Sequence, residues 1–134
     1  MSAKELFLEF SEQINAHNVD GLCRLMSEDH SFIDALGATI KGREQMRHGW
    51  TSYFRMVPDY QITFTEVFEQ GDTVAAFGTA QGTYSANGEL RAQNQWQVPA
   101  AWLAKIKNDL IVEWRVYCDN EPIRKLMAPQ ASEE

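Results

Sequence analysis

Asp34 shares a strand face with Phe32 and Leu36, just ahead of Gly37. An acid on an apolar face has two uses. It can cap the turn that the glycine opens, or it can stand in a water-poor pocket as a base. In the second case its pKa rises, and it can take a proton from the carbon beside a carbonyl and return it elsewhere. His30 has the same parity and can line the same pocket. The two would lie roughly 13 Å apart at about 3.3 Å per residue, too far to ligate one ion. The remaining histidines, His17 and His48, add no HxH or HExxH pair, so no metal site is expected. Cys118 lies late in the chain with no histidine of foreseeable proximity, and reads as a small buried hydrophobe. The tryptophans Trp50, Trp96, Trp102 and Trp114 either stack on an apolar or aromatic ligand or fill a core. The sequence holds no phosphate-binding glycine loop and no dinucleotide fingerprint, and no cofactor is expected.

These residues need elements to hold them. Ser2 to Glu5 fits a capping box, and Leu6, Phe7, Phe10 and Ile14 recur at helical spacing, predicting a helix over 3–16. A short helix is expected over 19–27 and a strand over 30–36. Gly42 and Glu44 open a third helix, in which Met46, Trp50, Tyr53, Phe54 and Val57 follow steps of three and four until Pro58 ends it. From Tyr60 the period becomes two. Strands are predicted over 60–69, 73–84, 90–106 and 110–118, with Asn87-Gly88 as a hairpin signal. Residues 1–127 are expected to form one domain, and 128–134 a disordered polar tail. Three helices followed by a meander imply an α+β fold with helices on one face of an antiparallel sheet.

Strand parity sorts the last two strands. Trp96, Val98, Ala100, Trp102, Ala104 and Ile106 share a face, as do Val112, Trp114, Val116 and Cys118. Large rings beside alanines suit a packed core or a pocket. The opposite face of the last strand carries Ile111, Glu113, Arg115, Tyr117 and Asp119, and a partner subunit is a reasonable cover for it.

Composition sets outer bounds. The chain has 134 residues, 44% of them hydrophobic and 23% charged, as in one globular domain. Twelve Lys and Arg stand against 19 Asp and Glu, a net charge of −7 that disfavours nucleic acid and anionic membranes. No apolar run reaches the roughly 18 residues of a membrane span. Two cysteines make no disulfide framework, and no signal peptide is evident, so a cytoplasmic location is expected.

Three strings, in order and with matching gaps, resemble the NTF2-like superfamily in its ketosteroid isomerase and SnoaL-like polyketide cyclase branch. They are Ser27-Glu28-Asp29-His30-Ser31-Phe32-Ile33-Asp34, Lys41-Gly42-Arg43-Glu44-Gln45-Met46, and Leu110-Ile111-Val112-Glu113 running on to Tyr117-Cys118-Asp119. The resemblance covers about residues 3 to 126. It implies a strongly curved sheet wrapped around helices as a cone, with an internal pocket, and a homodimer packed through the outer sheet face. It places Asp34 where ketosteroid isomerases hold their proton-shuttling aspartate. Their oxyanion donors do not carry over: Phe10 stands at the tyrosine position, Trp102 at the acid position and Trp50 at a supporting tyrosine. Steroid isomerase activity is therefore not expected. Tyr53, Asn94 and Gln95 are the residues that could replace those donors. Asp119 matches the cyclase aspartate if the last strand bulges, and Arg115 with Asp119 is the set an epoxide hydrolase would need. The expected ligand contacts are His30, Phe10, Phe32, Trp50, Tyr53, Phe54, Trp96, Trp102, Trp114 and Cys118. Two functions follow: proton transfer on a small apolar carbonyl compound with Asp34 as base, or binding of a small apolar ligand without turnover.

Overall fold

The computed structural model describes residues 1–132. Helix α1 (Ala3–Asn15) starts at Ser2, whose Oγ accepts the Glu5 N–H at 3.0 Å in a complete capping box. Its apolar stripe buries Leu6, Phe7, Phe10 and Ile14. Asn18 caps α2 (Val19–Leu25), which runs directly into strand β1 (Met26–Ile33). A turn leads to the short β2 (Thr39–Lys41) and then to α3 (Arg43–Met56). Strands β3 (Gln61–Gln70), β4 (Thr73–Thr83), β5 (Gln95–Lys107) and β6 (Leu110–Cys118) follow, with α4 (Glu121–Ser132) last.

The six strands form one curved, unclosed sheet in the order β2-β1-β6-β5-β4-β3, an α+β arrangement that fits the expected cone. All neighbours are antiparallel except β1 and β6, which run parallel. The meander over β3–β6 is as expected, while β1 and β2 extend the sheet beyond it. The β4–β5 ladder is unbroken from Thr73 opposite Lys105 to Thr83 opposite Gln95. Period two therefore holds along β5, and Trp96, Val98, Ala100, Trp102, Ala104 and Ile106 all point inward and are buried.

Three expectations are corrected. The strand expected over 30–36 ends at Ile33, because Asp34 N–H donates to Ala38 O and Gly37 N–H to Asp34 O, closing a turn with Gly37 at φ +85°. Leu36 therefore leaves the apolar face and is 70% exposed. On β6 a register shift sets Ile111 opposite Ile106 but Glu113 opposite Lys105. That bulge turns Ile111 inward, where it is fully buried, although odd positions were expected outside. Helix α4 occupies 121–132, so most of the stretch expected as a tail is helical; 133 and 134 lie outside the described residues. Pro122 in its first turn favours that helix, since proline lacks only an N–H that has no partner there. Among the described residues, no helix is long and apolar enough to cross a membrane.

Candidate functional site

The concave face of the sheet, α3 and the start of α4 enclose a cavity of about 300 Å³, at the small end of ligand pockets. Helix α3 contributes Met46, Gly49, Trp50 and Tyr53, one stripe at steps of three and four. The inward faces of β5 and β6 contribute Trp96, Val98, Trp102, Trp114, Val116 and Cys118. Ala80 on β4 leaves room between them. Phe32, Asp34, Ala35 and Ile40 form the rim beside β1, and Asn120 and Ile123 the rim beside α4.

Asp34 is half-buried on that rim. Its Oδ1 accepts the N–H groups of Leu36 and Ala38, both at 2.9 Å, so one oxygen is held by the turn. Oδ2 makes no hydrogen bond to a described residue. The two uses of this acid thus coexist: it caps the turn and lines the cavity.

Tyr53 and Tyr60 supply the hydroxyls. Their rings meet edge to face at 4.9 Å, and neither phenol hydrogen-bonds to a described residue. Burial pushes both phenols well above their ordinary pKa, with Tyr53 adding to the effect on Tyr60 and Cys118 adding to both. They remain un-ionised O–H donors at neutral pH. The indole N–H groups of Trp50 and Trp96 have no acceptor among the described residues, but they are enclosed and offer nothing to a guest. Cys118 donates its S–H to Asn120 Oδ1 at 3.2 Å, and burial followed by the neighbouring Asp119 raises its pKa. It is a thiol, not the thiolate that a nucleophile requires.

Of the expected contacts, Phe32, Trp50, Tyr53, Trp96, Trp102, Trp114 and Cys118 come together around the cavity. Phe10, Phe54, His30 and Asp119 do not. Phe10 is fully buried behind the wall, 4.6 Å from the Trp114 ring. Phe54 follows Tyr53 by one residue and so faces another way, stacked on His17 at 4.3 Å. Asp119 is exposed and its Oδ1 accepts the Glu121 N–H at 2.9 Å, capping α4. Asn94 and Gln95 do not line the cavity either: Asn94 ends a short 3-10 turn ahead of β5, its carbonyl accepting the Tyr84 N–H, and Gln95 is exposed at the start of that strand. Tyr60 and Asn120 were missed, because both sit in connections where no period places a side chain.

His30 is fully buried, with Nδ1 donating to the Ile111 carbonyl at 2.7 Å and Nε2 without a partner among the described residues. Burial lowers its pKa; the bond to Ile111 and the charge of Asp29 oppose this but do not reverse it. The folded state therefore binds the proton more weakly than the unfolded one, whose value is about 6.5. Stability from this group is complete above that value and is lost as pH falls, by at most about 1.4 kcal/mol per pH unit. His30→Gln, which can keep the donor to Ile111, is expected to flatten urea-unfolding stability between about pH 6.5 and 5. An unchanged slope would show that other groups carry the acid sensitivity.

The outer sheet face bears an exposed apolar row. Phe68 and Phe77 pack edge to face at 6.2 Å, and Ala101 separates Phe77 from Tyr117 in register. The Arg115 guanidinium lies 4.8 Å from the centre of the Tyr117 ring, outside the cavity and away from Asp119's capping bond.

The model of the SnoaL-like domain family matches residues 7–114. A protein of ketosteroid isomerase-like fold from Catenulispora acidiphila, solved in complex with trimethylamine, superposes with a TM-score of 0.79 at 22% identity, covering 92% of each chain. A structure named for SnoaL-like polyketide cyclases from Jannaschia gives 0.81 at 17% identity, covering 94% of this chain and 91% of that one. Another so named, from Shewanella putrefaciens, gives 0.80 at 16%, covering 97% and 99%. At these identities the likeness is one of fold. No curated protein matches the chain.

Proposed function

Because the chain belongs to the SnoaL-like domain family, we propose that it is a cofactor-independent enzyme that moves a proton on a small apolar carbonyl compound, with Asp34 as general base. One observation carries this reading: among the described residues a single carboxylate lines a mostly aromatic and aliphatic cavity, and the two phenols there have no hydrogen-bond partner. Oδ2 of Asp34 takes a proton from the carbon beside the carbonyl. Tyr53 and Tyr60 donate hydrogen bonds to the oxygen as negative charge develops on it, the part played by an oxyanion hole. Asp34 then returns the proton to the same carbon or to another along the conjugated system.

The test is exchange of α-protons of small aryl ketones in D₂O, followed by NMR. Wild type is expected to accelerate exchange, and Ala80→Phe, which fills the cavity without touching Asp34, to abolish the acceleration while circular dichroism stays unchanged. Exchange that survives a filled cavity would place the chemistry elsewhere.

A second reading, a binding module without turnover, is favoured by the hold that Leu36 and Ala38 keep on Oδ1. The trimethylamine of the Catenulispora protein is a guest of the size such a cavity suits. The apolar row of Phe68, Phe77 and Tyr117 supports a homodimer through the outer sheet face. Sedimentation velocity is expected to find a dimer at micromolar concentration, and a monomer there would sink that assignment. A cytoplasmic location fits the two free cysteines.

A further inference from the structure

Five of the rings around the cavity form a series of adjoining walls rather than a stack. Phe32 and Trp50 lie 5.9 Å apart at 77°, Trp50 and Tyr53 6.4 Å apart at 89°, and Tyr53 and Tyr60 4.9 Å apart at 86°. Trp96 closes the series 6.1 Å from Tyr60, inclined by 39°. These rings line the cavity, and the face of an aromatic ring is the negative side of its quadrupole. Among the described residues the one formally charged side chain in the lining is the carboxylate of Asp34, and no Lys, Arg or His lines the cavity with it. The phenols add dipoles and no competing positive charge.

A guest inside therefore meets an aromatic lining and, among the described residues, one anion. An anionic guest is repelled by both. A neutral apolar guest gains burial and nothing from the charge pattern. A cation gains both, and the ring attraction is strongest where water is excluded. The cavity also distinguishes between cations. A primary ammonium brings three N–H donors that must keep hydrogen bonds when water is excluded, and the described lining answers with two phenol oxygens inside and the Asp34 and Asn120 side chains at the rim. An alkylated ammonium brings apolar methyl groups and one donor or none.

We infer that the cavity selects a substituted ammonium group, a tertiary or quaternary amine, seated among Tyr53, Tyr60 and Trp96 with Asp34 at the rim. This names the ligand class of the proposed site and rests on that reading only for the cavity being occupied. With the charged head inward, the remainder of the ligand lies toward Phe32 and Asp34; a guest so seated takes the two phenols that a developing enolate oxygen needs, so it is a bound ligand and not the substrate of the proton transfer.

Calorimetric titration of the full chain with choline and with dimethylbutanol, its neutral isostere with carbon in place of nitrogen, tests this directly. Choline is expected to bind at least about ten-fold tighter, the ratio that about 1.4 kcal/mol of ring and carboxylate attraction gives. Tyr60→Leu is expected to cut choline affinity about five-fold and leave the isostere within about two-fold, while Tyr60→Phe, which keeps the ring, retains the preference. If the isostere binds as tightly as choline in wild type, the ammonium inference is overturned and the apolar cavity stands. If neither binds at about 10 mM, a Kd no better than weak millimolar, the ammonium inference falls, and α-proton exchange of aryl ketones decides the proposed reaction separately. A choline preference in a protein that exchanges no α-proton retires the base role of Asp34 alone.

Discussion

Asp34→Asn is expected to lower ketone α-proton exchange by at least about 100-fold, since a positioned general base contributes about 10²–10⁴ in rate. The substitution is chosen for what it leaves in place. An amide oxygen can still accept the N–H groups of Leu36 and Ala38, so the turn that ends β1 keeps both bonds. The cavity keeps its shape, and ligand affinity for a neutral ketone should move little. What disappears is the basicity of the other oxygen. Asp34→Ala removes the base and the turn cap together and cannot separate chemistry from architecture. Rates measured at several ketone concentrations should therefore show the loss in turnover, with half-saturation nearly unchanged. Exchange by the Asn variant within about three-fold of wild type would leave Asp34 as a turn cap and favour the binding module.

That expectation rests on a residue whose type was legible in the sequence but whose surroundings were legible only in part. Face assignment works where a ladder is continuous. Along β5 every even residue points inward because no bulge interrupts its pairing with β4. On β6 one shifted pair turns Ile111 against its neighbours' parity, and nothing in a single sequence marks that shift. His30 and Phe32 illustrate a second limit, for a face is not a depth. His30 packs against Phe10 in the closed interior, and Phe32 reaches the cavity two residues on. The same difference explains Phe10, which helical spacing assigns to the core but cannot assign to the cavity wall. Tyr60 and Asn120 lie in connections, where the chain follows tertiary contacts and not a period. Helix α4 did carry a signal, in the Glu121-Pro122 start and the spacing of Ile123 and Leu126. The polar composition of the last residues hid it.

Trp114→Ala is expected to cost about 3–5 kcal/mol, the range for removing a large buried ring. Trp114 is 1% exposed, stacks on Phe7 at 5.0 Å and packs on Phe10 at 4.6 Å, while its other side faces the cavity. A void left in a solid core can shrink when its neighbours relax into it. Here the void would join a cavity that already exists, and the rings of α1 would lose their support without anything able to move up behind them. The cost is a large share of the roughly 5–15 kcal/mol that holds a domain folded. Trp114→Phe, which leaves a ring against Phe7, should cost less than half as much. Urea unfolding monitored by circular dichroism measures both, and a loss under about 1 kcal/mol for the alanine variant would mean that the indole is a loose flap on the cavity and not its brace. The pair of variants separates two duties within one wall. Asp34→Asn should spare stability and remove chemistry, because its turn bonds survive. Trp114→Ala should remove stability first, because one face of the ring that bounds the guest is also the surface on which α1 is packed.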